Sequence, residues 1–267
     1  MRLILKYFLR GSGKFIAFFM PSQKWREFFN YKIPARIYQK FFIKNTIFLS
    51  VGVDCRPALH LKAHLLRKCS APLDWIMCYS LDDAYALYKS EFADFFSACS
   101  EDKSKAHKGK RFVIADNGAV AMHHFPMSVA VDEYLPTFQR ITQRRFHNLK
   151  AKIIESKRVV FVCHRDENLE SLGDFARKMS DLIISWSESK AKSSTDSRES
   201  CAESKRIFLV NILHKADLRG FEKQIHKVRD NVAIIQYIFD DTSADSNFWL
   251  GNKKLWGRVM SEIEMIG

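Results

Sequence analysis

The chain has 267 residues, of which 47% are hydrophobic and 27% charged, with a formal net charge of +13. That length can bury a full core and that composition is globular, which excludes a disordered or collagen-like chain. The charge is concentrated: residues 1–44 carry ten basic side chains (Arg2, Lys6, Arg10, Lys14, Lys24, Arg26, Lys32, Arg36, Lys40, Lys44) against one acid, Glu27, so nine of the thirteen net charges sit there.

The N-terminal arm, residues 1–44, is also aromatic, with Tyr7, Phe8, Phe15, Phe18, Phe19, Trp25, Phe28, Phe29, Phe41 and Phe42. Its apolar runs are shorter than the roughly 20 residues that cross a bilayer, and Lys6, Arg10 and Lys14 interrupt them. Gly11-Ser12-Gly13 weakens any continuous helix. No small-residue cleavage site follows a clean apolar run, so a secretory signal is not expected. Aromatics interleaved with basic residues suit an anionic membrane surface, and the Phe-rich runs favour lipid over a nucleic-acid phosphate track. The bland alternative is a helical hairpin packed on the body. The segment from Phe18 to Arg26 (FFMPSQKWR) resembles the N-terminal "IP-x-K-x-x-R" stretch of bacterial surface-polysaccharide and lipopolysaccharide biosynthesis enzymes.

The body, residues 45–267, reads as one α/β domain. Thr46–Val51 is a buried strand ending at Gly52, and the apolar spacing from Pro57 through Leu61, Leu65 and Cys69 predicts a helix. Ser80 and Asp83 form a capping box before a helix over Ala84–Ala98. Lys103–Lys110 reads as an exposed loop, Arg111–Ala115 and Ala119–Met122 as strands, and Val129–Lys152 as a long basic helix. Val159–Cys163 reads as a strand, followed by a helix over Leu169–Trp186. The Ser-, Lys- and Glu-rich stretch 187–205 cannot fill a core and reads as a disordered insertion. Ile207–Ile212 and Val232–Phe239 are apolar strands with a helix predicted near Leu218–Arg229, and an amphipathic helix over Asn252–Ile266 closes the chain. Apolar strands alternating with helices predict a three-layer α/β/α fold with a mostly parallel sheet, Rossmann-like or SGNH-like.

Six scattered cysteines without a C-x-x-C pair fit a reducing compartment, hence a cytoplasmic protein peripheral to the inner membrane. In an open parallel sheet, ligands bind beyond the carboxyl ends of the strands. Cys55 sits there, after Gly52 and at the start of a helix, whose dipole would lower a thiol pKa and whose free N–H groups could hold an oxyanion. On type and place alone it is equally a small residue packed at a strand–helix junction. His164 and Arg165 follow the Val159–Cys163 strand and could reach the same cleft. Asp54 could bind a substrate hydroxyl or cap the helix. His60 and His64 have i, i+4 spacing but lack the Glu of H-E-x-x-H, so no metal is expected, and no cofactor motif (a Gly-rich phosphate loop or D-x-D) is present.

Three blocks, Ser50–Leu61 (SVGVDCRPALHL), Ala71–Ile76 (APLDWI) and His123-His124-Phe125, followed by Arg140, Arg144, Arg145 and Phe146, resemble an uncharacterised bacterial family catalogued as "putative papain-like cysteine peptidases". The resemblance runs from about residue 46 to 185, with a weaker echo at 247–256, and departs at Leu73, where Phe is usual. It implies Cys55 as nucleophile, His123 or His124 as base and Asp74 as orienter, with Asp54, Trp75, Arg140, Arg144 and His164 around the substrate. Placement of a nucleophile after the first strand is more SGNH-like than papain-like, so a cysteine hydrolase or acyl-transfer enzyme is expected rather than a strict peptidase. The other class kept open is a metal-independent glycosyltransferase or glycan-modifying enzyme acting on a lipid-linked glycan, with Cys55 structural; a non-catalytic membrane scaffold is the third.

Overall fold

In a computed structural model, residues 2–193, 205–243 and 248–266 are described. They form a mixed α/β protein with a mostly parallel central sheet. The five-stranded sheet runs β1 (Thr46–Ser50), β5 (Arg158–His164), β6 (Arg206–His214), β8 (Val232–Phe239), β7 (Glu222–Arg229); all neighbours are parallel except β7 and β8. A small antiparallel sheet holds β2 (Cys99–His107), β3 (Lys110–Ala115) and β4 (Val120–Ala121).

The period-two alternation of a strand divides the core between the two faces of the large sheet. Ile47, Leu49, Val159, Phe161, Ile207, Leu209 and Ile234 point to one face. There they meet α5 (Leu81–Lys89), α6 (Val131–Glu155) and α7 (Leu169–Ser193) through Tyr88, Phe146, Leu149, Phe175 and Met179. Phe48, Val160, Val162, Val210, Ile212, Ile235 and Tyr237 point to the other face. That face is covered by α3 (Ile33–Phe42), α4 (Arg56–Ala63) and α8 (Lys253–Ile266), through Tyr38, Leu61, Trp256 and Met260. Because both faces are covered, the strands need to be apolar throughout, which is why they stand out in the sequence.

The arm is helical. Helix α1 (Arg2–Phe18) runs unbroken through Gly11-Ser12-Gly13, contrary to the expected break. A Cβ at Gly13 would lie 2.4 Å from the Phe29 carbonyl oxygen, so this glycine permits close packing of α1 on the π-helical turn Phe28–Lys32 that follows α2 (Gln23–Glu27). The hairpin is anchored on the body by a buried ion pair between Lys6 and Glu264 of α8. Gln39 Nε2 donates to the Leu65 and Arg67 carbonyls, both at 3.0 Å. Its other side leaves Tyr7, Phe8, Phe15, Phe18, Phe19, Trp25 and Phe41 exposed. Among the described residues no helix is long and apolar enough to cross a membrane.

Other elements depart from expectation for local reasons. The segment 218–229, expected as a helix, contains strand β7, paired antiparallel with β8 across a turn at Asp230-Asn231; its mostly exposed side chains identify a sheet edge. The expected loop 103–110 belongs mainly to the β2–β3 hairpin, turning at Lys108 and Gly109, whose φ values of 48° and 73° match the paired positive φ of a tight hairpin turn. Helix α4 stops at Ala63, with Leu65 at φ 64°, so Cys69 lies beyond it. The Ser80–Asp83 capping box forms, but α5 ends at Lys89, and Glu91, Phe92 and Phe96 take positive φ to bury Phe92, Phe95 and Phe96. Of the stretch 187–205, residues 187–193 continue α7, and 194–204 lie outside the described residues.

Candidate active site

Gly52 lets the chain turn sharply out of β1: a Cβ there would lie 2.7 Å from Pro57 Cγ in the first turn of α4. The turn delivers Asp54, Cys55 and Arg56 to the carboxyl end of the sheet, with Cys55 at the N-cap of α4. These three residues form one wall of a pocket of ≈ 400 Å³. Leu59, Trp75, Met77, Met122 and Trp249 supply apolar lining, and His123 and Lys108 complete it. A shallower hollow of ≈ 570 Å³ lies at the N-termini of α5 and α7, lined by Asp82, Asp166, Glu167, Glu170 and Asp174. Acidic side chains there offset helix dipoles, and the hollow holds neither a cysteine nor a histidine.

The histidines expected as alternatives have opposite fates. His123 lines the pocket, its ring 6.0 Å from the Trp75 ring at 79°. His124 turns into the core against Phe138, its Nδ1 buried with no hydrogen-bond partner. Burial, then the positive charges near it, Arg145 foremost, hold its pKa down to about 3.

Cys55 is not the dipole-activated thiolate expected from its position. Burial pushes its pKa up to about 12, and the carboxylates of Asp54 and Asp74 push the same way. Of the N–H groups at the helix start, that of Arg56 is already donated to Asp54 Oδ1 at 2.9 Å. Helix α4 is only eight residues long, and its dipole is outweighed by two nearby carboxylates and a dry surrounding. Among the described residues no hydrogen bond joins the Cys55 thiol to a histidine.

Asp74 does not face the pocket. It is buried and accepts from Ser50 Oγ, Arg67 Nη1 and the Ala71 N–H, each at 2.9 Å. It ties β1 to the loop that carries Trp75, over which the Arg67 guanidinium lies 5.8 Å from the ring centre. Arg140 and Arg144 are exposed on α6 and do not line the pocket; Arg145 is partly buried, and Phe146 is in the core.

His164 stands behind the pocket wall, against Asp54. Its Nδ1 lies 3.1 Å from Asp54 Oδ2 and its Nε2 3.5 Å from Asp241 Oδ2. Arg165, its neighbour, points away and is buried, donating to the carbonyls of Val51 and Tyr79 and to Glu167. His60 Nε2 lies 2.9 Å from the Leu250 carbonyl oxygen, with its ring stacked on Trp256 at 4.4 Å. His64, 6.5 Å from it, is held at a low pKa of about 3, chiefly by burial.

Asp241 was not singled out by sequence reasoning. Its carboxylate accepts from Arg56 Nη1 at 2.7 Å, the Asn252 N–H at 2.7 Å and Trp256 Nε1 at 2.9 Å. Gly251, at φ 62°, makes room for it: a Cβ there would lie 2.3 Å from Asp241 Oδ1. The available signal was position, since Asp240-Asp241 follows a parallel strand at its carboxyl end. Lys108 carried no such signal and Trp249 only the weak family echo over 247–256; a hairpin tip and a 3-10 turn bring them to the pocket from other parts of the chain.

The fold and pocket define an α/β protein with a cysteine and a histidine facing one cleft at the carboxyl end of a parallel sheet. The family described as "Putative papain-like cysteine peptidase (DUF1796)" matches residues 46–198, more than half of the chain, and the chain belongs to that family. No curated protein and no solved structure matches it.

Proposed function

We propose that the protein is a cysteine hydrolase or acyl-transfer enzyme in which Cys55 is the nucleophile and His123 its base. The observation that carries this reading is that these two side chains line one pocket, whereas His124 does not line it and packs its ring against Phe138. Because the resting thiol is held protonated, His123 acts as a general base that takes the Sγ proton as the bond to substrate forms, rather than as half of a standing thiolate–imidazolium pair. Trp75 limits the imidazole's orientation, and Asp74 acts from beneath as a support for the Trp75 loop. Asp54 contacts the polar part of the substrate at the rim, with His164 behind it. Placement of Cys55 between the first strand and a helix supports an SGNH-like rather than a papain-like arrangement. The glycosyltransferase alternative would use Asp54, Asp74, the histidines and the arginines around the cleft, and it is less favoured because Asp74, Arg140 and Arg144 do not line the pocket.

The exposed aromatic face of the arm, set among Lys14, Lys24, Arg26, Lys32, Arg36 and Lys40, supports action at an anionic membrane surface. Co-sedimentation of the full chain with anionic but not zwitterionic vesicles is expected, and equal recovery with both removes this part of the reading. For the chemistry, haloacetamide alkylation across pH is compared in wild type, His123→Ala and His124→Ala. Slower modification of Cys55 in His123→Ala, with the His124 variant unchanged, is the expected result. An unchanged Cys55 rate in His123→Ala defeats the assignment.

A further inference from the structure

We propose that the substrate of this site is an acyl ester or thioester carrying an apolar chain and an anionic group, not a peptide; this rests on Cys55 being the nucleophile. Peptide recognition of the extended type relies on unpaired backbone edges that pair with the substrate main chain. Around Cys55 several backbone donors are already committed. Met77 and Val120 exchange hydrogen bonds of 3.0 and 2.8 Å, the Cys78 N–H donates to the Val53 carbonyl at 3.0 Å, and the Arg56 N–H is held by Asp54. The pocket instead offers side chains, and most are apolar. Leu59, Trp75, Met77, Met122 and Trp249 form a slot suited to an unbranched chain, with thioether groups that adapt to its conformation.

The rim adds the second half of the argument. Lys108 stands at the tip of the β2–β3 hairpin, exposed, and lines the pocket without an ion-pair partner among the described residues. The other cation at this wall, Arg56, is bound to Asp241 and to the Trp249 carbonyl. Lys108 is therefore the group placed to meet a carboxylate or phosphate on the substrate. An amphiphile of this type also fits an enzyme whose arm presents aromatic and basic side chains on one surface.

The reaction balances with water as co-reactant. Cys55 Sγ bonds to the acyl carbon as its proton passes to His123. The C–O or C–S bond to the leaving group then breaks, and the leaving group takes that proton. Water, giving a proton to His123, attacks the resulting thioester; the C–S bond breaks and Cys55 recovers its proton, releasing the carboxylic acid.

The test uses the full chain with acetyl and octanoyl p-nitrophenyl esters and a casein-derived peptide mixture, reading the acyl adduct on Cys55 by intact mass and its hydroxylamine reversal. Cys55 is expected to acylate roughly tenfold or more faster with octanoyl than acetyl donor, the scale that apolar pocket contacts supply. Trp249→Ala, at a largely exposed position, and Met122→Lys are expected to erase this preference. Lys108→Glu is expected to slow turnover of octanoyl-coenzyme A relative to the uncharged octanoyl ester. Equal acetyl and octanoyl rates, or peptide cleavage without an acyl preference, overturn the proposal. Absence of any adduct overturns it too. If His123-dependent alkylation of Cys55 persists in that case, the nucleophile reading survives; if it is also absent, both fall.

Discussion

Asp74 and Asp54 both raise the Cys55 pKa, yet they belong to differently built regions. The inner cluster, Ser50, Arg67 and Asp74, is closed: three donors meet the Asp74 carboxylate, whose side chain is 2% exposed. The outer cluster of Asp54, Arg56, His164 and Asp241 is rooted in a fully buried Asp241, but Asp54 remains 29% and His164 15% exposed. A carboxylate whose acceptor sites are filled by the protein is a strut; one that keeps an open side is available to a substrate. His124 and His123 repeat the contrast one residue apart, the first packed against Phe138 and the second on the pocket wall.

The largest expected effect lies in the inner cluster. Asp74→Ala leaves the Arg67 charge without its carboxylate in a buried site and is expected to cost about 3–5 kcal/mol in urea unfolding. A loss below about 1 kcal/mol would move Asp74 out of the strut class and back toward the substrate.

Acid titration is the next way to sharpen the contrast. Burial holds the pKa of His64 and His124 down to about 3, against 6.5 for a free, solvated side chain. Between those values the unfolded chain binds protons that the native state refuses, so stability is full above pH 6.5 and falls as pH drops toward 3. His124→Phe is expected to flatten this slope, by on the order of 3 kcal/mol at the acid end, while leaving Cys55 alkylation unchanged. An unaltered slope in equilibrium unfolding would argue that His124 does not stay neutral in the core.

Asp241→Asn keeps the shape but weakens charge-assisted bonds to Arg56, Asn252 and Trp256, and about 1–3 kcal/mol of destabilisation is expected. Asp54→Asn is expected to cost less than about 1 kcal/mol, because the group is partly solvated. Its signature is chemical: removing the nearer of the two carboxylate influences lowers the Cys55 pKa from about 12, so haloacetamide reacts faster at a fixed alkaline pH. If the rate is unchanged, Asp54 has no part in holding the thiol protonated.

Legibility followed how much of each signal was local. The apolar strands at 46, 159, 207 and 232 could be read because a strand covered on both faces must be apolar along its length. The capping box at Ser80 was readable because both partners lie within four residues. Strand β7 was not, since an exposed edge strand with charged side chains carries neither a helical nor a clear alternating pattern. Cys55 and Trp75 could be found from their motif blocks, but the motif could not separate His123 from His124 or reveal that Asp74 is enclosed.

The sequence by itself determined the α/β class, the parallel strands, the concentration of charge and aromatic residues in the arm, and the turn that presents Cys55 at a strand end. Each follows from periodicity, composition or contacts between near neighbours in the chain. Only the tertiary structure decided that the arm packs as a hairpin on α8, that His123 rather than His124 meets the pocket, that Trp249 joins Asp54 and Arg56 there, and that Asp241 holds Arg56 from behind. It also decided the sign of the Cys55 pKa shift, because burial and the approach of Asp74 come from segments that the local pattern cannot bring together.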